Sequence, residues 1–300
     1  MIRKTLPLLV LALFSGKAQA AEPLVVHEWG LWHLVEGNAQ VMPQVLDTLP
    51  THVHKFAAGV APNFGTMPSG MIVKKPVAWF YGPEGTVAEY KLTQKDKGLI
   101  LANFPALAVW KQGTATWKLT LGPKNFSAPK GEISQSPWYD KLYLPDANAV
   151  SYQEKNETEG FLFYEANTFS DLPVSLVGGA LAVKELLPLV LAVSCDETGL
   201  AVHFAIAVGS AAKWTFPTSL DRMETTQAVG ELARRLIGLG LFEGEAKAFA
   251  TVWQPELFET LGKRVLVILP QKTYAHLLPV EIIPAPQSFV RVGAILVELP

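Results

Sequence analysis

A strand pattern with a glycine in its middle runs through residues 25–35, VVHEWGLWHLV. Its β-branched and aromatic residues are typical of strands, and a glycine within a strand indicates a bulge or a close approach of another backbone. Side chains alternate across a strand, so the odd-numbered residues from His27 to His33 share one face and the even-numbered ones from Glu28 to Trp32 share the other. Four of the six histidines lie between positions 27 and 54, which makes this region the densest in chemically active side chains.

The first twenty residues have the composition of a secretory signal. Arg3 and Lys4 supply a positive start, residues 6–14 an apolar centre, and Ala18-Gln19-Ala20 a small-x-small cleavage site. We therefore expect residues 1–20 to be a signal peptide and the remaining chain to be exported, either to the periplasm or into the medium.

Composition excludes several classes of partner. A formal net charge of −2 without a concentrated basic face argues against nucleic-acid binding. No later apolar stretch approaches the roughly 20 residues of a transmembrane helix, so we expect no transmembrane segment in the exported chain. Cys195 is the single cysteine and forms no intramolecular disulfide, and the 49% of hydrophobic residues must supply the stability by burial.

The pattern changes three times along the exported chain. Residues 21–75 combine the first strand with a loop rich in Gly, Pro and Asn that carries His52 and His54. Residues 76–209 are dominated by strand patterns and form a β-rich core. Residues 210–300 contain two helical patterns and closing strands, and we expect them to form one continuous unit with that core.

Residues 188–208 have the pattern of a β-hairpin. A loop around Asp196–Gly199 pairs Cys195 with Leu200 and Ala192 with His203. Large apolar residues then occupy one face, which we assign to the core, and alanines occupy the other, where we expect helices to pack closely.

Helical periodicity follows in residues 229–237 and 242–253, and Pro255 is suited to open a short further turn. Closing strands are predicted at 264–269, 280–283 and 288–299. This order predicts an α+β fold, a mostly antiparallel β-sandwich or curved sheet with a C-terminal helical pair packed on one side. Regular βαβ alternation and the GxGxxG, P-loop, HExxH and GxSxG motifs are absent from the sequence.

Several segments of the chain resemble a family of secreted bacterial proteins with an HEWGTF-type motif after the signal peptide. They are Val26–Gly30, Lys75–Tyr81, Phe161–Glu165 and the stretch from Trp253 to Pro270. Leu31-Trp32 stand where the family has Thr-Phe. The family has no assigned activity, so the resemblance implies an exported location and a shared architecture but no reaction.

The histidines support two readings. His27, His33, His52 and His54 could together bind a divalent metal such as zinc, with an open position for water and with Glu28 as general base. The alternative is that the histidines pack locally and that Glu28 stabilises the strand by accepting buried backbone N–H groups. We favour the structural reading, because the gap between His33 and His52 matches no standard zinc spacing.

Other candidate residues are weaker. Trp138 and Tyr139 could form a stacking platform for a sugar, or could hold a long loop onto the sheet. Cys195 and His203 fall on opposite faces of the hairpin, which favours a core cysteine over a nucleophile. Glu243, Glu245, Glu256 and Glu259 surround the second helix and are interpreted as a solvated face.

These patterns predict an exported envelope protein without catalytic activity, serving a structural, interaction or ligand-binding role with an envelope protein or a glycan as partner. A metal-dependent hydrolase built on the four histidines is the main alternative. A carbohydrate-binding module built on Trp138 and Tyr139 is the third.

Overall fold

The computed structural model describes residues 22–34, 49–55, 71–94, 98–111, 113–127, 136–168, 171–209 and 213–299. The predicted signal peptide and most of the predicted loop at 36–75 lie outside the described residues. Within the described residues the chain forms a large mixed sheet, a small three-stranded sheet and C-terminal helices that pack together. The predicted α+β class is confirmed.

The strands are bounded as follows: β1 (Val25–Leu34), β2 (His54–Lys55), β3 (Met71–Tyr81), β4 (Val87–Thr93), β5 (Ile100–Phe104), β6 (Val109–Lys111), β7 (Thr114–Lys124), β8 (Asn148–Tyr152), β9 (Glu157–Glu159), β10 (Leu162–Thr168), β11 (Val174–Val177), β12 (Ala180–Val183), β13 (Leu187–Asp196), β14 (Gly199–Val208), β15 (Lys213–Trp214), β16 (Asp221–Arg222), β17 (Gly262–Ile268), β18 (Val280–Ile283) and β19 (Ser288–Leu299). Strands β11, β12 and β15 form the small sheet, and the others belong to the large one.

The helices follow the strand-rich part of the chain. They are α1 (Thr225–Ile237), α2 (Glu243–Val252) and α3 (Gln271–Leu277). Single turns also occur, of the 3₁₀ type at Tyr139–Tyr143 and Gln153–Lys155 and of the π type at Pro255–Glu259. No helix in the described part of the chain is long and apolar enough to cross a membrane.

Strand β1 lies inside the large sheet. It pairs in parallel with β19 and antiparallel with β3, and all the other pairings of the described strands are antiparallel. Trp29 and Trp32, on opposite faces of β1, are both fully buried. The alternation of the 25–35 stretch therefore places apolar side chains in two separate layers, one on each face of the strand.

These layers are two hydrophobic cores. The helix-side core contains Trp29 and Trp79 from the sheet together with Leu232 of α1 and Phe249 of α2. The opposite core contains Trp32 of β1 and the side chains of β4, β7, β10 and α3. Because both faces of β1 are covered, every polar residue on it must find a partner within the protein.

The predicted hairpin is confirmed in its register, since Ala192 pairs with His203 and Cys195 with Leu200. Cys195 is half-buried rather than a core residue. The expected position of the helices is wrong. α1 and α2 pack with the large residues of β13, such as Leu191, and not with the alanine face. The larger side chains bury more apolar area against a helix, and this outweighs the closer approach that alanines would permit.

The two predicted helices are confirmed as α1 and α2, and the turn opened by Pro255 is present. Helix α3 was not predicted. It has only seven residues, of which Tyr274 and Leu277 are buried, so it is too short to show a helical repeat.

A bulge interrupts β3 where it passes Gly30. Against β1, Val77 pairs with Trp29 but Lys74 pairs with Leu31, so two residues of β3 face one residue of β1. The pairing of β3 with β10 shifts at the same place. Lys75, within the bulge, has a φ of 50°, in the left-handed region that non-glycine residues rarely adopt.

Gly30 is required opposite this bulge. A Cβ at position 30 would lie 2.7 Å from the hydroxyl oxygen of Tyr274 and 3.1 Å from a methyl of Val73. The glycine in the 25–35 stretch thus marks a close approach, while the extra residue belongs to the neighbouring strand.

Candidate functional site

Glu28 points into the opposite core, where five hydrogen bonds hold its carboxylate. Tyr164 and Tyr274 donate to Oε1 at 2.6 and 2.8 Å, and Tyr90 donates to Oε2 at 2.7 Å. Arg291 donates through Nε to Oε2 at 2.7 Å and through Nη2 to Oε1 at 3.0 Å. We call this set of five residues the Glu28 network.

The electrostatics of this network follow from burial beside one negative charge. Burial, and then the Glu28 carboxylate, raise the pKa of Tyr90, Tyr164 and Tyr274 well above the usual value for tyrosine. For Arg291 burial acts to lower the pKa, but Glu28 and the surrounding tyrosines act the other way and the net pKa is raised. Arg291 also donates to the Leu278 carbonyl at 2.6 Å.

The Glu28 network is therefore an ionic anchor between β1, β19, α3 and two further strands. A bidentate pair with arginine and three phenolic donors satisfies both carboxylate oxygens. The donors are side chains rather than the backbone N–H groups that we expected. Glu28 also lies on the face of β1 opposite His27, so it does not face that predicted metal ligand.

His27 points into the helix-side region, where it meets a second buried carboxylate. Its Nδ1 hydrogen-bonds Oε2 of Glu245 at 2.8 Å, and the same oxygen accepts the backbone N–H of Phe242 at 2.7 Å. Tyr81 donates to Oε1 at 2.6 Å. Glu245 has no exposed surface, so its interpretation as part of a solvated helix face is wrong. It ties the start of α2 to strands β1 and β3.

The other three histidines have separate carboxylate neighbours. Nε2 of His33 lies 2.8 Å from Glu298, Nε2 of His52 lies 3.7 Å from Glu159, and Nε2 of His54 lies 2.7 Å from Glu157. His27 and His33 are six residues apart on one strand, a span of roughly 20 Å.

The structure therefore does not bring the four predicted zinc ligands together. Among the residues that it describes, no group of three or more His, Cys, Asp and Glu side chains is arranged to hold a metal ion.

Trp138 and Tyr139, the predicted sugar-stacking residues, have different surroundings. Tyr139 is fully buried, and its hydroxyl donates to Glu159 at 3.3 Å. Trp138 is partly buried and packs against the helix-side core, with its ring 4.5 Å from Nζ of Lys75. The two rings contact each other edge-on at 5.4 Å and do not form an open platform.

Lys75 is the centre of a cluster that the sequence analysis did not identify. Its Nζ lies 4.5 Å from the ring centroid of Trp138, 4.2 Å from that of Trp253 and 3.8 Å from Oε1 of Glu256. Glu165 on β10 completes the group, because it interacts electrostatically with Lys75 and accepts its backbone N–H. We call these five residues the Lys75 cluster.

Three buried polar atoms of this cluster have no hydrogen-bond partner among the described residues. Oε2 of Glu165 and the Nε1 atoms of Trp138 and Trp253 are buried, and no described residue forms a hydrogen bond with them. Most buried polar atoms in folded proteins are paired, so each exception calls for an explanation such as an ordered water, an ion or a functional role.

The pKa values of Glu165 and Lys75 are both shifted in the direction that favours the neutral form. Burial raises the pKa of Glu165 to about 7, against the lowering influence of Lys75. Burial also lowers the pKa of Lys75, and the attraction of Glu256 and Glu165 offsets this only in part. Perturbed titrations of this kind are common at functional sites, although buried structural pairs also produce them.

An open cleft lies next to the His27–Glu245 pair. It has a volume of about 540 Å³ and is lined by eight residues: Tyr81, Leu144, Pro145, Asp146, Phe242, Glu243, Gly244 and Lys247. Phe242 is 47% exposed in the cleft, and its ring packs on the ring of His27 at 4.3 Å. We call this feature the Phe242 cleft.

Sequence reasoning missed the residues on which these features depend. Glu165 and Lys75 lie in stretches singled out only for a family resemblance, and Lys75 showed no signal beyond its position before Pro76 in a strand. Glu245 was recognised but assigned to solvent. The signal that could have identified it is its place three residues after Phe242, where a carboxylate caps the backbone of a helix start.

No family model, no curated protein and no solved structure matches this chain. The resemblance to the secreted HEWGTF-type proteins therefore stays a prediction.

Proposed function

We propose that this protein is an exported, non-catalytic binding protein that takes a small amphipathic molecule into the Phe242 cleft. The observation that carries the proposal is the cleft itself, which combines a volume of about 540 Å³ with a half-exposed aromatic ring on its wall. Pockets for small ligands in proteins typically have volumes of this order and apolar linings.

The walls of the cleft are held in place by buried contacts. Glu245 accepts the N–H of Phe242 and the hydroxyl of Tyr81, and the two rings pack edge-on at 4.9 Å. A Cβ at Gly244 would lie 2.7 Å from Cα of Pro145, so the start of α2 and the facing loop are in close contact. A preorganised pocket of this kind loses little conformational entropy when a ligand binds.

Charges of both signs surround the apolar part of the cleft. Asp146 and Glu243 contribute carboxylates, and Lys247 contributes an ammonium group. This lining favours a ligand with an apolar or aromatic body and with charged groups of both signs, of the size of an aromatic amino acid or a short peptide.

Binding is proposed rather than catalysis because the two buried carboxylates next to β1 are already engaged. Glu28 accepts five hydrogen bonds, and both oxygens of Glu245 accept at least one. The oxygens of both carboxylates are thus occupied by donors of the protein itself, which suits a structural role.

The test is a ligand-detected NMR titration of the chain that begins at residue 21, with L-phenylalanine and 2-phenylethylamine as probes and cellobiose for comparison. We expect both aromatic probes to bind and cellobiose not to bind. Phe242→Ala should weaken the aromatic probes about tenfold, the amount expected for loss of one aromatic contact.

Ile206→Ala is the matched control, because it removes an exposed apolar side chain from β14, outside the cleft. Binding should be unchanged in this variant. The proposal is refuted by the absence of aromatic probe binding to the unmutated chain, or by equal binding to the Phe242→Ala and Ile206→Ala variants.

A further inference from the structure

We propose that Lys75 is a reactive amine that condenses with small aldehydes or ketones to form an imine. This site is distinct from the Phe242 cleft and goes beyond the binding function proposed above. The proposal rests on the position of Lys75 in a bulge, on the aromatic rings that enclose its amine and on the unpaired polar atoms of its cluster.

The bulge in β3 determines where the side chain of Lys75 points. Val73 belongs to the opposite core and Val77 to the helix-side core, although their numbers would place them on one face of a regular strand. The extra residue reverses the alternation between them, and Lys75 reaches the indoles of Trp138 and Trp253. Bulges that re-aim a side chain, and left-handed non-glycine residues, are concentrated at functional sites.

Burial of the amine favours its neutral form, whereas the indole faces and the nearby carboxylates favour the ammonium form. Two indole rings cover it, and the charged groups that face it are Lys74 on its own strand, Glu165 on β10 and Glu256 in the π turn. Burial lowers the pKa of Lys75 despite the two carboxylates. A neutral amine retains the lone pair that attacks a carbonyl carbon, and desolvated lysines serve as nucleophiles for this reason.

Part of the Lys75 side chain lies at the surface of the protein. The Lys75 side chain is 11% exposed and the neighbouring Glu256 side chain is 42% exposed. Hydrogen-bonding capacity in the same cluster comes from Nε1 of Trp138 and of Trp253 and from Oε2 of Glu165, which have no partner among the residues that the structure describes. The substrate class is therefore a small carbonyl compound with a polar substituent.

The reaction is balanced without a further reactant. The nitrogen of Lys75 forms a bond to the carbonyl carbon while the carbonyl π bond breaks, and proton transfer from nitrogen to oxygen gives a carbinolamine. Loss of the hydroxyl group and the remaining amine proton as water leaves the carbon–nitrogen double bond. No oxidation or reduction occurs.

The experiment traps this imine. The chain that begins at residue 21 is incubated at pH 7 with glycolaldehyde and sodium cyanoborohydride, and the alkylation rate of each lysine is read by peptide mass spectrometry. Lys75 should react faster than exposed Lys118 and Lys272, since a lowered pKa raises the fraction of the amine that is neutral at pH 7.

Two variants separate the electrostatic effect from simple accessibility. Glu165→Gln removes a charge that raises the pKa of Lys75, so the reaction at Lys75 should become faster while that at Lys118 stays unchanged. Lys118→Arg, the matched control, should leave the rate at Lys75 unchanged.

A rate at Lys75 equal to or below that of the exposed lysines in the folded protein overturns the proposal. A rate at Lys75 that does not respond to Glu165→Gln also overturns it, because accessibility alone would then explain the labelling. Circular dichroism of each variant establishes that the compared chains are folded.

Discussion

The Glu28 network and the Lys75 cluster are both built around buried charged groups next to β1 and β3, but their polar atoms are satisfied to different degrees. Both oxygens of Glu28 are saturated by five hydrogen bonds. Glu165 has one oxygen without a hydrogen-bond partner among the described residues, and the two indoles of its cluster are likewise unpaired. A saturated buried charge stabilises a fold, whereas an unsaturated one retains the capacity to bind or react.

The difference arises from strand register. The parallel pairing of β1 with β19 places Glu28 directly opposite Arg291, so the ion pair follows from regular geometry. Lys75 lies where that regularity fails, in a bulge with a left-handed backbone. Regular pairing thus supplies a partner for a buried charge, and the bulge leaves the Lys75 amine among aromatic rings.

Replacing Arg291 with methionine should have the largest effect on stability. The change leaves the Glu28 carboxylate buried without its counter-charge, and breaking a buried ion pair in this way costs about 3–5 kcal/mol. Urea unfolding followed by tryptophan fluorescence measures the change in the free energy of unfolding.

Lys75→Met is the matched control for that substitution. It also replaces a buried basic group with methionine, but the neighbouring Glu165, with a pKa of about 7, can take up a proton and become neutral, so the loss of stability should be smaller than for Arg291→Met. Equal losses in the two variants would show that both sites depend on their basic group to the same extent.

Replacing Glu165 with glutamine should produce a pH-dependent gain in stability. Because the pKa of Glu165 in the folded protein, about 7, exceeds the ordinary 4.5, the folded state holds its proton more tightly than the unfolded state. The contribution of Glu165 to wild-type stability is thus fully present below pH 4.5 and is lost as the pH rises through 7. The shift corresponds to roughly 3 kcal/mol.

Urea unfolding at pH 4 and pH 8 tests this prediction. The Glu165→Gln variant should match the wild type at pH 4 and exceed it by roughly 3 kcal/mol at pH 8. A difference that is the same at both pH values would contradict the assignment of the titration to Glu165.

Replacing Tyr164 with phenylalanine should have a smaller effect, because Glu28 keeps four other hydrogen bonds. Loss of one hydrogen bond to a charged group costs about 2 kcal/mol, measured by thermal or urea unfolding. Tyr152→Phe is the control, since its hydroxyl donates to the exposed Glu154 and its loss should cost less than about 0.5 kcal/mol. Equal effects would place Tyr164 outside the anchoring role.

Local patterns predicted most of the elements around the site, although β3 begins at Met71, within the stretch expected to be a loop. The strand at 25–35, the hairpin register, the helices α1 and α2 and the strands Val280–Ile283 and Ser288–Leu299 all follow from periodicity and turn residues. These features depend on interactions between residues close in the chain, where the period of the apolar side chains reports the local conformation. The short helix α3 has too few residues for that signal.

Only the tertiary structure determines which distant side chains contact Glu28 and His27. Glu28 and Arg291 are 263 residues apart, His27 and Glu245 are 218 apart, and no local pattern indicates which distant group will face a given side chain. The sequence by itself determined a β-rich α+β protein with a chemically dense first strand. Only the packing of that strand between β19 and β3, with a bulge on one side, decided that Glu28 has all its hydrogen bonds and that Glu165 does not. The reason is that these hydrogen bonds depend on the register between strands distant in sequence.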